Sequence, residues 1–257
     1  MNYSEKVIPI LRQLRPVLLP HWGSAEVMGK KSDSAVDVVT EVDVEIEKIA
    51  SKNLAEIYPD IEFVGEEQGG NREAKRFWLM DPIDGTGHYI RGLPFCTTMI
   101  ALIENGQVNF SAIYDFVNDY MYWAERGKGA FRENDRLKVS NRSLTQSYIG
   151  WEIRRDKREN DEIFIELRKR AVLFKSVSAG WEYAMIAAGK LDARICFDPY
   201  GKDYDFAPGS LLVSEAGGVV ANLNTDSYDY RNTNFIAANP IIYKELTSGN
   251  NPLFPLK

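Results

Sequence analysis

Apolar and polar positions follow two rhythms along this chain, a helical one near its start and a strand-like one through its middle. Val7, Ile10, Leu11, Leu14 and Leu18 recur at helical spacing, which predicts a helix capped by Ser4 and bent or shortened by Pro9 and Pro16. After a polar loop at 30–34, residues 36–39 read as a short strand, and Thr40 opens a helix to about Ile57, stopped by Tyr58-Pro59-Asp60. Residues 61–64 and 77–80 are apolar strands. The runs 96–103 and 108–114 flank an Asn-Gly pair, a strong hairpin signal. The runs 120–124 and 129–132 predict a second hairpin, and 137–139 a further short strand.

The polar turn Ser140-Asn-Arg-Ser143 divides these meander-like strands from a renewed alternation of strand and helix. Strands are expected at 148–151, 172–177 and 192–197, and helices at 161–170, 181–188 and 206–215, the last ended by Gly217-Gly218 before Val219-Val220 resumes a strand. Ile163, Phe164 and Leu167 would face inward. The organisation expected is an N-terminal α+β half over 1–141 and a C-terminal α/β half over 142–257.

Chemistry concentrates where the 77–80 strand ends. Asp81 and Asp84 stand three apart across Pro82, followed by Gly85-Thr86 at a sharp turn, with Thr86 placed to cap a short helix from about Gly87. Asp-Pro and Asp-Gly are also ordinary turn pairs, so a solvated loop stays open on local grounds. A phosphoaspartate phosphatase pairs its two aspartates two residues apart; spacing of three turns the second carboxylate to the other face of a regular strand end. Glycine-rich Gly65-Glu66-Glu67-Gln68-Gly69-Gly70 puts further carboxylates one strand earlier, as an oxygen-ligated cation site requires. Thr40-Glu41-Val42-Asp43 resembles a capping box, and Asp205 falls at the N-cap of the 206–215 helix with Pro208 in its first turn; capping alone would account for either aspartate.

Composition narrows the field. The 257 residues are 44% hydrophobic and 26% charged, as in an ordinary globular protein, and 37 acidic against 31 basic residues leave a net charge of −6, which disfavours a nucleic-acid surface. His21 and His88 are too few for an imidazole zinc centre. Cys96 and Cys196 read as buried, reduced thiols of a cytoplasmic protein, and neither leads a Cys-x5-Arg motif, since Leu102 and Lys202 follow at the sixth place. Secretory-leader and membrane-spanning runs are not expected.

Taken in order, Gly65-Glu66-Glu67, Asp81-Pro82-Ile83-Asp84-Gly85-Thr86, Tyr204-Asp205-Phe206-Ala207-Pro208-Gly209 and Glu215-Ala216-Gly217-Gly218 resemble the inositol monophosphatase family of Mg²⁺-dependent phosphatases, within the fructose-1,6-bisphosphatase-like superfamily. The Asp37-Val-Val-Thr40-x-x-Asp43 segment is similar to another family element. This resemblance implies a layered αβαβα sandwich and Mg²⁺, two or three ions per site, held by Glu66, Asp81, Asp84, Asp205 and the Ile83 carbonyl. It implies that Thr86, supported by Asp43, and Glu66 orient and deprotonate the attacking water, while the Gly85 and Thr86 N–H groups meet phosphate beside Asp84. The implied partners are a small phosphorylated metabolite and a second copy of the chain; no membrane is implied and nucleic acid is disfavoured.

Some residues depart from the family pattern, none of them a predicted metal ligand. His88-Tyr89 replaces the family's Asn-Phe, Tyr204 replaces Trp, and the Gly-Ser/Thr-Ala run becomes Ser178-Ala179-Gly180 with bulky Trp181 behind it. Ser178 and Gly180 are expected to contact substrate, and Asp198, seven before Asp205, to hold its hydroxyls. Trp181, beginning an amphipathic helix, is expected to pack into the core. Inositol 1-phosphate is the first-choice substrate, with fructose 1,6-bisphosphate, adenosine 3′,5′-bisphosphate and histidinol phosphate as alternatives. A non-catalytic family scaffold is the rival reading, which four retained carboxylates oppose. Relief of carboxylate repulsion predicts that Asp84→Asn stabilises the metal-free protein.

Overall fold

The structure, a computed structural model, describes residues 3–30, 38–154 and 157–257, so Val36 and Asp37 lie outside the described residues. The first helical pattern divides at Gln13-Leu14 into α1 (Ser4–Arg12) and α2 (Arg15–His21), with Pro16 in the first turn of α2, where its missing N–H costs little. Strands β1 (Val27–Lys30) and β2 (Val38–Thr40) pair antiparallel, and Thr40 caps α3 (Glu41–Ile57). That cap is reciprocal: the Thr40 hydroxyl accepts from the Asp43 N–H, and Asp43 Oδ2 accepts from the Thr40 N–H at 2.8 Å.

Seven strands then form one sheet in chain order: β3 (Glu62–Gly65), β4 (Arg76–Asp84), β5 (Thr97–Glu104), β6 (Gln107–Asp115), β7 (Tyr120–Glu125), β8 (Gly129–Arg132) and β9 (Asp135–Arg136). Only β3 and β4 pair parallel; the rest is an antiparallel meander, with helix α4 (Thr86–Tyr89) between β4 and β5. Asn105 and Gly106, both at positive φ, make the two-residue turn that joins β5 to β6. The expected strand at 137–139 is displaced to β9, because a tight turn after β8 lets Arg132 pair with Asp135 and spends the ladder early.

Residues 137–147 carry the chain to a second sheet of order β11-β10-β12-β14-β13. Its members are β10 (Tyr148–Ile153), β11 (Val172–Lys175), β12 (Ala193–Phe197), β13 (Val219–Asn222) and β14 (Phe235–Ala238), interleaved with α5 (Arg158–Arg168), α6 (Ala179–Ala187) and α7 (Asp203–Glu215) and followed by α8 (Pro240–Thr247). Helix α7 begins earlier than its apolar pattern implies, with Lys202 at the cap, so Asp205 is its third residue and Pro208 lies in its second turn.

Period-two alternation sorts the side chains into layers. Phe77 and Leu79 of β4, with Met99 and Ala101 of β5, face α6 and α7; Trp78, Met80, Ile100 and Leu102 face α1, α2 and α3. On the second sheet Cys196, Phe235 and Ala237 join the α6/α7 layer, while Ile195, Ile236 and Ala238 face α5 and α8. The result is helices, sheet, helices, sheet, helices. Each fully buried Leu, Ile or Phe contributes about 1.5–3 kcal/mol, and the inner layer is filled with such side chains, so α6 and α7 are held on both faces.

Candidate active site

A bulge brings two aspartates onto one side of β4. In register, Asp81 faces Met99 and Asp84 faces Thr97, so three steps on β4 oppose two on β5. An odd separation would point the carboxylates to opposite faces of a regular strand; the extra residue, at Pro82-Ile83, restores both to the same face. Pro82 suits the bulge because it has no N–H to leave unpaired, and its carbonyl accepts from the Thr98 hydroxyl at 2.8 Å. At Gly85 φ is 82°, and a Cβ there would lie 2.4 Å from the Phe95 carbonyl oxygen, so the turn into α4 demands glycine. Gly85, not Thr86, is therefore the cap; Thr86 is the first helical residue, with its side chain turned back toward the strand.

Asp81, Asp84 and Asp205 offer one carboxylate oxygen each within 4.8 Å of one another. Glu66 stands beside them, where the chain leaves β3 alongside Met80 of β4, and its side chain hydrogen-bonds the Tyr204 hydroxyl. The donor set is all oxygen, without His or Cys, and fits a hard divalent cation such as Mg²⁺. Burial pushes the Asp205 carboxyl well above the usual carboxylate range, and the negative charges of Asp84 and Glu66 push it the same way.

Asp84 is held differently. Its oxygens accept from the Ser178 hydroxyl, the Gly180 N–H at 2.8 Å, the Ala179 N–H at 3.1 Å and the Thr97 hydroxyl at 3.3 Å. Burial raises its pKa and these bonds oppose the rise. Ser178 and Gly180 thus spend their donors on Asp84, so Asp84→Asn, expected to stabilise the protein by relieving repulsion, would also turn an N–H₂ toward these donors.

Thr86 donates toward two acceptors, the Ile83 carbonyl at 2.8 Å and Asp43 Oδ1 at 3.2 Å. Asp43 is fully buried and also accepts from the Thr40 hydroxyl at 2.6 Å, so its capping role and its contact with Thr86 coexist. One helical turn on, buried Glu47 accepts from the Glu67 and Gln68 N–H groups, both at 2.8 Å, and so fixes the loop that carries Glu66. Sequence reading missed Glu47; a second acid four residues after Asp43 on the apolar face of α3 was the available signal.

Asp198 sits at the end of β12, at positive φ, paired with Lys157 Nζ at 2.5 Å, which holds its carboxyl below the usual range. Trp181 is half-buried and packs edge-on against Phe95, at 5.3 Å between ring centres, so it lies at the edge of the core and not in it. His88 also packs edge-on against Phe95 and is kept below the ordinary imidazole range by burial. Both cysteines are buried free thiols, pushed up by burial. Among the described residues no helix is long and apolar enough to cross a membrane.

Known proteins resemble this chain in sequence and in fold. A Thermotoga maritima protein described as a fructose-1,6-bisphosphatase/inositol-1-monophosphatase is 31% identical over 96% of this chain and 94% of its own. A Xylella fastidiosa protein described as Nus factor SuhB is 33% identical over 84% of this chain and 80% of its own. The solved structure of a Thermotoga maritima IMPase superposes with a TM-score of 0.85 at 29% identity, covering 95% of both chains. The sequence model of one phosphatase family spans residues 5–252, nearly the whole described fold with its aspartate cluster, and the chain belongs to the inositol monophosphatase family.

Proposed function

We propose that this protein is a Mg²⁺-dependent phosphomonoesterase acting on a small polyol or sugar phosphate, with inositol 1-phosphate preferred. The observation that carries the reading is the convergence of Asp81, Asp84 and Asp205 beside the Thr86–Asp43 pair. Glu66, Asp81, the Ile83 carbonyl, Asp84 and Asp205 would hold two or three ions. When bound, Mg²⁺ neutralises phosphate charge and lowers the pKa of water, so that no covalent nucleophile is needed.

The chain's own groups do the rest. Thr86 keeps its proton and donates its hydrogen bond to the Ile83 carbonyl or Asp43, leaving hydroxyl lone pairs to accept from the attacking water. Glu66, steadied by the Tyr204 hydroxyl, takes the water's proton. The Gly85 and Thr86 N–H groups receive phosphate oxygens. Ser178 and Gly180 act through Asp84, which they hold in place. Asp198, just beyond β12, would accept substrate hydroxyls in exchange for Lys157.

The Nus factor relative raises a second reading, a scaffold for partner factors. Retention of the carboxylate cluster and the net charge of −6 favour the enzyme. A cytoplasmic homodimer is part of the proposal.

The test is phosphate release with Mg²⁺ from inositol 1-phosphate, fructose 1,6-bisphosphate, adenosine 3′,5′-bisphosphate and histidinol phosphate, compared as kcat/KM. Inositol 1-phosphate should lead. Preference for either of the last two overturns the substrate assignment, and no release from any of the four overturns the enzyme.

A further inference from the structure

One buried cation takes no part in the hydrolysis described. Arg194, on β12, is 1% exposed and lies between two carboxylates: its Nη1 donates to Glu182 of α6 and to the Ser176 hydroxyl at 2.7 Å, and its Nη2 donates to Glu152 of β10. Its guanidinium carbon stands 5.7 Å from the Tyr183 ring of α6 and 5.6 Å from the Phe206 ring of α7. The carboxylates pass the connection on. Glu182 accepts from the Val177 N–H at 2.9 Å, next to the Ser178-Ala179-Gly180 donors that grip Asp84. Glu152 accepts from the Tyr200 and Gly201 N–H groups, both at 2.9 Å, next to Lys202, whose N–H donates to Asp205 at 2.6 Å. Room for the arrangement is built in, since a Cβ on Gly150 would lie 2.6 Å from Glu182 Oε2.

A buried ion cluster gives little net stability, and apolar side chains of similar volume would pack at least as well. What this one does is tie the first turns of α6 and α7 to a single planar fork. We propose that Arg194, through Glu182 and Glu152, is a positioning residue that sets the spacing of Asp84 from Asp205 and thereby the affinity of the cluster for Mg²⁺. The proposal rests on reading that cluster as a Mg²⁺ site.

Calorimetric titration of the metal-free full chain with Mg²⁺ tests it, alongside kcat and KM for inositol 1-phosphate. Arg194→Met should raise the Mg²⁺ dissociation constant and lower kcat by about 10–100-fold, the range for residues that orient metal ligands, with KM at saturating Mg²⁺ little changed. Arg194→Lys keeps the charge but cannot bridge both carboxylates, so it should fall between. If Arg194→Met does not fold, Arg194→Lys and Glu152→Gln carry the test, each weakening Mg²⁺ binding. Folded variants that bind Mg²⁺ and turn over like the wild type overturn the proposal alone. A wild type that binds no Mg²⁺ overturns the site reading and this proposal with it.

Discussion

The end of β4 and the start of α7 each bring a buried or half-buried aspartate to the same cluster, yet they are built in opposite ways. Asp84 has four donors and a favourable field from Arg194, which offset part of the cost of burying its charge, although burial still holds its pKa above the usual range. Asp205 has the Lys202 N–H and is surrounded by Asp84, Glu66 and Glu152, so its charge is opposed until a cation arrives. One wall of the site is braced by donors, while the other carries the larger unrelieved electrostatic cost, which a bound cation would offset.

The largest break of this asymmetry is Asp84→Asn. It should lower phosphate release by about a thousandfold or more, as loss of preorganised charge does, and also cost about 1–3 kcal/mol of stability because satisfied donors lose their acceptor. Denaturant unfolding of the metal-free variant checks the second half. Asp205→Asn should be comparably inactive but no less stable than wild type without metal, since the amide oxygen still accepts from Lys202 while the repulsion goes. Equal stability losses in the two variants would erase the comparison.

Thr86→Ala is next, lowering kcat by about a hundredfold, at the lower end of acid–base contributions, with a smaller change in KM. Asp43→Asn should follow more weakly. Losses confined to thermal stability would reduce both residues to packing and capping.

The pH dependence sharpens the same contrast. Asp205 and Asp84 have folded pKa values above their unfolded ones, so each contributes stability that is full below the unfolded value of about 3.9 and is lost as pH rises through the folded value. In EDTA, Tm should therefore fall as pH climbs from about 4 toward neutrality, and the rise in Tm on adding Mg²⁺ should grow over the same range. Asp198 works in the opposite sense but is about a third exposed and screened by solvent. Asp205→Asn should flatten the slope. The smallest effect is expected at Asp198, where Asp198→Ala should raise KM for inositol 1-phosphate about two- to tenfold, as loss of hydroxyl contacts does.

Much of the fold and of the site is legible in the sequence because its signals are local. Asn105-Gly106 needs positive φ at both positions and so marks its hairpin, and Thr40 with Asp43 marks the start of α3. Local signals fail where caps compete. Lys202 and not Asp205 caps α7, because Asp203 and Tyr204 already extend the helix, and Thr86 yields its cap to Gly85 because only glycine fits beneath Phe95. Strand β14 goes unread since four apolar residues carry no period, although Asn239-Pro240 after it is a good start signal for α8. Contacts across long separations are invisible in the sequence. Ser178 meets Asp84 from 94 residues away, and nothing in a strand pattern announces that Arg194 is buried between two acids.

Inorganic phosphate release from inositol 1-phosphate, followed for the wild type and Asp205→Asn with Mg²⁺ and then with excess EDTA, tests the central claim most directly. Release by the wild type should need Mg²⁺ and stop with EDTA, and Asp205→Asn should give none above background. Release that survives EDTA, or that Asp205→Asn sustains at the wild-type rate, would contradict a metal-dependent site built on this aspartate.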